Sequence, residues 1–217
     1  MNMKTSPKIA SCGPAALALV GGALGVNDSQ AAIVYTPVTS GGTISSGGTL
    51  WFDLGEDGSG AWSSSSIPGA DFNFQNSGGA VYSYAVGTPV PRMNVSGIYS
   101  VKMASGAPVD SGITTWQPDC TVAYTGHGNF PKDGTHGYLG LRVEPTVSAF
   151  KYGWAEISYN VDGSLTLYGF AVQTDGTSIN TGQTSAVPEP AETGLVAALL
   201  AGGVAVWRRR QAFKRAA

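Results

Sequence analysis

Two runs late in the chain, Phe150 to Tyr159 and Ser164 to Gln173, constrain the fold more than any other part. They are joined by Asn160-Val161-Asp162-Gly163. An Asp-Gly pair between β-forming runs is a strong hairpin signal, because both residues accept the positive φ that a tight turn needs. Each run is apolar on both of its faces. Trp154 opposes Ile157 and Tyr159 in the first, and Leu165 and Leu167 oppose Tyr168 and Phe170 in the second. A strand with one solvated face alternates apolar and polar side chains, whereas these need cover on both sides. The hairpin predicts central strands of a two-layered β structure.

The rest of the body follows the same period of two. Strands are predicted at Ile33–Tyr35, Thr49–Leu54, Asp71–Gln75, Ala80–Val86, Ile98–Met103, Thr121–Tyr124 and Tyr138–Val143. Tyr82 and Tyr84 fall on one face of their strand, with Val81 and Ala85 towards the other. Gly55–Gly69 and Thr125–Gly137 read as loops around these strands, and the proline-rich stretch Gly87–Pro118 carries Ile98–Met103 as the one strand expected within it. No stretch of the body carries a sustained helical period. The expected class is all-β, with a jelly-roll-like antiparallel β-sandwich over residues 32–177 and a polar linker over 178–186.

Both ends read as addresses. Lys4 and Lys8 precede an apolar run from Ala15 to Val26, and Ser29-Gln30-Ala31 places small residues at the −3 and −1 positions of a cleavage site. Residues 1–31 are expected to form a secretory signal peptide, helical in its apolar part, for the translocon and signal peptidase, with cleavage after Ala31 and Ala32 as the next choice. At the other end, residues 187–217 begin with Val187-Pro188-Glu189-Pro190. An apolar segment over 193–207 follows, ending at Trp207 and the stop Arg208-Arg209-Arg210. As a helix, Gly194 to Val206 would span about 20 Å, short for a hydrocarbon core of about 30 Å. Interfacial Trp207 and snorkelling arginines extend it, and the positive-inside rule keeps this end cytoplasmic. A single transmembrane helix is expected here. The prolines fix φ and bias Val187 and Glu189 to extended conformations, presenting an open tripeptide before the membrane.

What lies between suits one domain. Between the ends, five basic residues (Arg92, Lys102, Lys132, Arg142 and Lys151) face eleven acids, a formal balance of −6. That charge argues against nucleic acid as a partner, since phosphate neutralisation needs a basic surface. Removal of the signal peptide takes Cys12 and leaves Cys120 alone, so no internal disulfide staples the domain. Cys120 is expected to be buried.

Several constellations are candidates for chemistry. Asp53, Glu56 and Asp57 in a glycine-rich turn, with Asp71 beyond it, offer oxygen ligands for a hard cation such as Ca²⁺; the plain alternative is an acidic surface turn. His127, His136 and Asp133 share one loop and form an unspaced metal-ligand set. A Cys120–His127 pair lacks any flanking signature of a nucleophile. Trp62 and Trp116, placed in loops, are candidates for stacking on sugar rings, while Trp51 and Trp154 lie in strand patterns, where core packing is the simpler role for both. No phosphate loop, nucleophile elbow or paired-carboxylate motif is present.

The C-terminal order of Pro-Glu-Pro, apolar helix and arginine cluster resembles the PEP-CTERM sorting signal of Gram-negative bacteria. That resemblance implies recognition and processing by an exosortase, with the precursor held transiently in the inner membrane. It also implies delivery to the cell surface or an exopolysaccharide matrix. Gly140-Leu141-Arg142-Val143, Tyr152-Gly153-Trp154-Ala155, Tyr168-Gly169-Phe170-Ala171, Ile179 and Gly182 resemble a "GLRF … YGWA … YA … G" block that precedes the signal in a large group of such proteins. The expected role is non-catalytic, structural or binding. The alternative is a secreted carbohydrate-active enzyme, which would need two carboxylates facing across a cleft, or a carbohydrate-binding module.

Overall fold

The computed structural model describes residues 32–40, 42–55, 58–86, 90–124, 127–146 and 149–185. The signal segment, Val187-Pro188-Glu189-Pro190, the apolar segment 193–207 and Arg208–Arg210 lie outside the described residues. Among the described residues no helix is long and apolar enough to cross a membrane, and all regular structure is β.

The strands are β1 (Ile33–Pro37), β2 (Thr43–Ile44), β3 (Thr49–Asp53), β4 (Ala61–Ser63), β5 (Phe72–Asn76), β6 (Ala80–Ala85), β7 (Arg92–Ser96) and β8 (Tyr99–Ser100). They continue with β9 (Lys102–Met103), β10 (Pro108–Val109), β11 (Trp116–Gln117), β12 (Asp119–Tyr124), β13 (Gly137–Thr146), β14 (Ala149–Tyr159), β15 (Leu165–Gln173) and β16 (Ile179–Asn180). Fourteen of them form one nearly closed sheet in the order β1-β15-β14-β13-β7-β8-β12-β6-β5-β3-β4, with β2, β9 and β11 attached to β15, β13 and β7. Strands β10 and β16 pair separately. Every pairing is antiparallel except β8 with β12.

β7 is the corner of this sheet. Arg92 and Met93 pair with Arg142 and Leu141 of β13, while Val95 and Ser96 pair with Ser100 and Tyr99 of β8. One strand thereby passes the ladder from a first wall (β1, β15, β14, β13) to a second (β12, β6, β5, β3, β4). Alternation then sets the inner faces. Leu50, Phe52, Phe74, Val122, Leu139, Leu141, Ile157, Leu167 and Phe170 meet in one buried cluster. The Phe52 ring lies 5.3 Å from Phe170 of the opposite wall, and 5.4 and 5.2 Å from Phe72 and Phe74 beside it. The free edges also approach one another, since a Cβ on Gly60 would overlap Thr36 of β1 and touch Phe170.

The double-sided apolar pattern of β14 has a direct counterpart. Its outer face carries Trp154, which is 1 % exposed and belongs to a second core with Val109, Tyr152, Ala171 and Ile179. Residues 103–116 and β16 supply the cover, through Met103, Ile113, Trp116 and Ile179. The indole lies tilted 5.8 Å from Tyr35 and edge-on 5.4 Å from Tyr138, and its Nε1 donates to the Gln183 carbonyl at 3.2 Å. The glycines of the block from Gly140 to Gly182 fit this crowding. A Cβ on Gly153 would meet the Ala171 carbonyl oxygen at 2.5 Å, and one on Gly140 would press on Met103 Sδ at 2.9 Å. The block is therefore a packing code for the first wall and its cover.

The structure revises several expected boundaries. Gly55–Gly69 contains β4, and Gly87–Pro118 contains β7, β8, β9, β10 and β11. The run Ile98–Met103 is split at Val101, because β8 pairs with β7 and β12 whereas β9 pairs with β13. Ordered structure also runs past residue 177. Ile179 and Thr181 are buried, and the Thr181 hydroxyl donates to the Ala104 carbonyl at 2.6 Å.

Truncating Trp154 to Ala should cost about 3–5 kcal/mol, lowering the melting temperature by roughly 10 °C. Val161→Ala, at the exposed tip of the β14–β15 hairpin (73 % exposed), should leave it unchanged. Differential scanning calorimetry of the two variants checks this.

Candidate functional site

The second wall has an outer face that the described residues leave open. Inner and outer positions alternate along β3, β5, β6 and β12, so Trp51, Asn73, Gln75, Tyr82, Tyr84, Asp119 and Thr121 point away from the main core. The register aligns them in two rows. Ser63, Trp51, Asn73, Tyr84 and Asp119 are successive partners across β4, β3, β5, β6 and β12. Beside them run Thr49, Gln75, Tyr82 and Thr121, with Tyr99 of β8 completing the row.

The aromatic residues of these rows are half-buried, whereas Gln75 and Asp119 are exposed. Tyr82 and Tyr84 lie 6.2 Å apart, tilted at 33°. At the β12 end the face deepens to a cleft of about 400 Å³ lined by Tyr82, Tyr84, Ile98, Gln117, Asp119 and Thr121. Ile98, on its rim, is 67 % exposed. Asn73, between Trp51 and Tyr84 in its row, keeps its Oδ1 out of water with no donor among the described residues. Rings, amides, hydroxyls and one carboxylate can stack on and hydrogen-bond to a polar ligand.

Nucleophilic chemistry finds no support beside this cleft. The Cys120 thiol faces inward, 3.7 Å from Met93 Sδ, and burial, reinforced by Asp119, pushes it up to about 12. It is held as a thiol, the unreactive form.

A second cleft of about 570 Å³ is lined by Lys102, Met103, Ser105, His136 and Tyr138. Here His136 Nδ1 lies 2.8 Å from Glu156 Oε1, and its ring stacks at 3.9 Å on Tyr168. The Tyr168 hydroxyl continues to Ser158 at 3.0 Å. Desolvation, with the Glu156 charge, raises the Tyr138 phenol above its ordinary value. Among the described residues, Asp119 is the carboxylate that lines the first cleft, and none lines the second.

The residues singled out from sequence are distributed otherwise than expected. Trp62 and Trp116 lie in strands, β4 and β11, and both are half-buried. Trp62 is the register partner of inward-facing Phe52 and packs on the main core. Trp116 donates its Nε1 to the Ile113 carbonyl at 2.6 Å and packs against Tyr152 at 6.3 Å and the Arg142 guanidinium at 5.1 Å. Arg142 is also stacked on Phe150 at 4.4 Å and bonded to Glu144 at 2.8 Å, so Trp116 is part of a structural stack. The rings on the open face are Trp51, Tyr82, Tyr84 and Tyr99. The i, i+2 spacing of Tyr82 and Tyr84 was the legible signal for them.

Of the proposed cation ligands, Glu56 and Asp57 lie outside the described residues. Asp71 Oδ2 accepts from the Leu54 amide and Asp53 Oδ1 from the Gly55 amide, each at 2.8 Å. His127 stacks on Tyr124, while His136 is engaged with Glu156 and Tyr168. Among the described residues no three His, Cys, Asp or Glu side chains converge as a metal set.

The acids instead serve turns. Asp53, Asp110, Asp133, Asp162 and Asp175 each accept from the amide two residues on, at Gly55, Gly112, Thr135, Ser164 and Thr177. The last three also accept the hydroxyl of the same residue. This is the Asx turn, in which a carboxylate substitutes for a backbone acceptor. No protein-family model, curated protein or solved structure matches the chain, and the site is read from its own residues.

Hydroxyl and amide bonds from Thr135 and Ser164 hold the Asp133 and Asp162 carboxyls below the usual carboxylate range. At Asp175 partial burial acts upwards, and the bonds from Thr177 and Gln173 outweigh it. Depressed folded-state values stabilise the protein above the unfolded value of about 3.9 and are lost as pH falls through them. The melting temperature should be flat from about pH 7 to 5 and decline below about pH 4. Asp162→Ala should flatten that decline in a pH series of thermal melts.

Proposed function

We propose that the chain is an exported protein of the cell surface or exopolysaccharide matrix, sorted and processed by exosortase, with a non-catalytic binding or structural role. In this reading the two facing walls are an antiparallel β-sandwich of jelly-roll type. The signal peptide carries the chain through the inner membrane, and the C-terminal helix arrests it there. The exosortase then acts near Val187-Pro188-Glu189-Pro190, leaving the body outside.

The observation that carries the reading is where the body is tied off. The Ala32 carbonyl accepts from the Thr174 amide and hydroxyl, each at 3.0 Å. Cleavage after Ala31 would leave both bonds and all of β1 in place. At the other end the Gln183 carbonyl is held by Trp154, four residues before Val187. Both candidate processing sites thus flank the tied segment without cutting into it. The face bearing Trp51, Tyr82 and Tyr84 supports a binding role, and the inert thiol of Cys120 is in keeping with a non-catalytic one.

Mass spectrometry of the protein recovered from its producing cell tests this. The expected mature form begins at Ala32 and has lost the arginine-rich end, and Glu189→Ala should accumulate the longer precursor. A chain still ending at Ala217 in cells with an active exosortase overturns the sorting reading.

A further inference from the structure

We infer that the open outer face of β3, β5, β6 and β12 is a binding platform for an extended, uncharged polysaccharide chain. The inference rests on the reading of the protein as exported to a polysaccharide matrix, and it names the ligand class and the residues. The sheet's two outer faces are treated differently. On the first wall the chain covers its own aromatic side chains, burying Trp154 and Tyr152 under residues 103–116 and β16. On the second wall Trp51, Tyr82, Tyr84 and Tyr99 remain half-exposed among amides and hydroxyls.

The arrangement matches the two-sided chemistry of a sugar. A pyranose presents apolar C–H faces and a polar rim of hydroxyls, so it needs ring faces beneath it and hydrogen-bonding groups beside it. Aromatic rings supply the first at low entropic cost, because few torsions are fixed on binding. Gln75, Gln117, Thr121 and Asp119 supply the second. Within each row the aromatics are two strands apart: Trp51 and Tyr84 across β5, and Tyr82 and Tyr99 across β12. At about 4.8 Å per strand that is about 10 Å, roughly two sugar units. A chain lying across the strands would meet one ring at every second sugar, with Asn73 of β5 in one row and Thr121 of β12 in the other between them.

Charge selects among polymers. The two rows contain one carboxylate, Asp119, and neither lysine nor arginine. A uronate-rich, sulfated or phosphodiester chain would meet no cation and one like charge. A neutral chain meets acceptors and donors for its hydroxyls, and Asp119 accepts from such a donor strongly.

The test titrates the full chain in mild detergent with three neutral hexasaccharides (cellohexaose, xylohexaose and mannohexaose) and with hexagalacturonate, by isothermal calorimetry. At least one neutral sugar should bind, and hexagalacturonate at least tenfold more weakly. Tyr84→Ala should weaken binding about tenfold and Tyr84→Phe by no more than about twofold, as expected of ring stacking. If Tyr84→Ala does not fold, Thr121→Glu, half-exposed in the same cleft, should give the same loss. No binding to any neutral sugar, equal binding of hexagalacturonate, or Tyr84→Ala binding like the parent overturns the proposal. So does light scattering showing a dimer that Tyr84→Ala dissociates, which would assign the face to a second copy. A retained C-terminal tail in the producing cell would sink the sorting reading and leave this result standing.

Discussion

The structure depends on β14 being buried on both faces. Ile157 and Tyr159 point into the core between the walls, while Trp154 and Tyr152 point into the second core outside the first wall. A strand in that position cannot be lost from one core without being lost from the other. Close approach on this strand is secured by backbone as much as by side chains, since Gly153 leaves no room for a Cβ against Ala171. The long ladders to β13 and β15 then hold the strand from both sides.

Covering one outer face leaves the other to do something else. The segment that shields Trp154 also continues, through β11, into the cleft at Gln117. β7 joins the walls, so the packed side and the open side share one continuous ladder. An open face built on short, fully paired strands needs little motion to bind. Its rings are set by the register. Five of the body's aspartates close turns, and Asp119 stands on the open face beside Tyr84.

Much of this was legible from residues. The Asp162-Gly163 turn, the two-sided apolar runs and the alternation of Leu139, Leu141 and Val143 place the first wall correctly, because long strands with strong period-two patterns leave little ambiguity. Tyr82 and Tyr84 were correctly placed on one face. The short strands were not legible: β4 and β11 are three and two residues long, sit among glycines, serines and prolines, and exist because a partner strand supplies the ladder. That is why Trp62 and Trp116 read as loop residues yet lie packed. The rows on the second wall were equally hidden, since Trp51, Tyr84 and Asp119 become neighbours only through register between distant strands. The acidic residues were legible as a cluster, but their use in Asx turns depends on backbone geometry that composition does not carry.

The central claim, that β14 binds both cores into one unit complete between Ala32 and Ser185, is tested most directly by calorimetric unfolding of that segment alone. A single transition, with equal calorimetric and van't Hoff enthalpies and simultaneous loss of near-ultraviolet dichroism, is the predicted result. Two resolved transitions, or a segment with no cooperative transition at all, would contradict it.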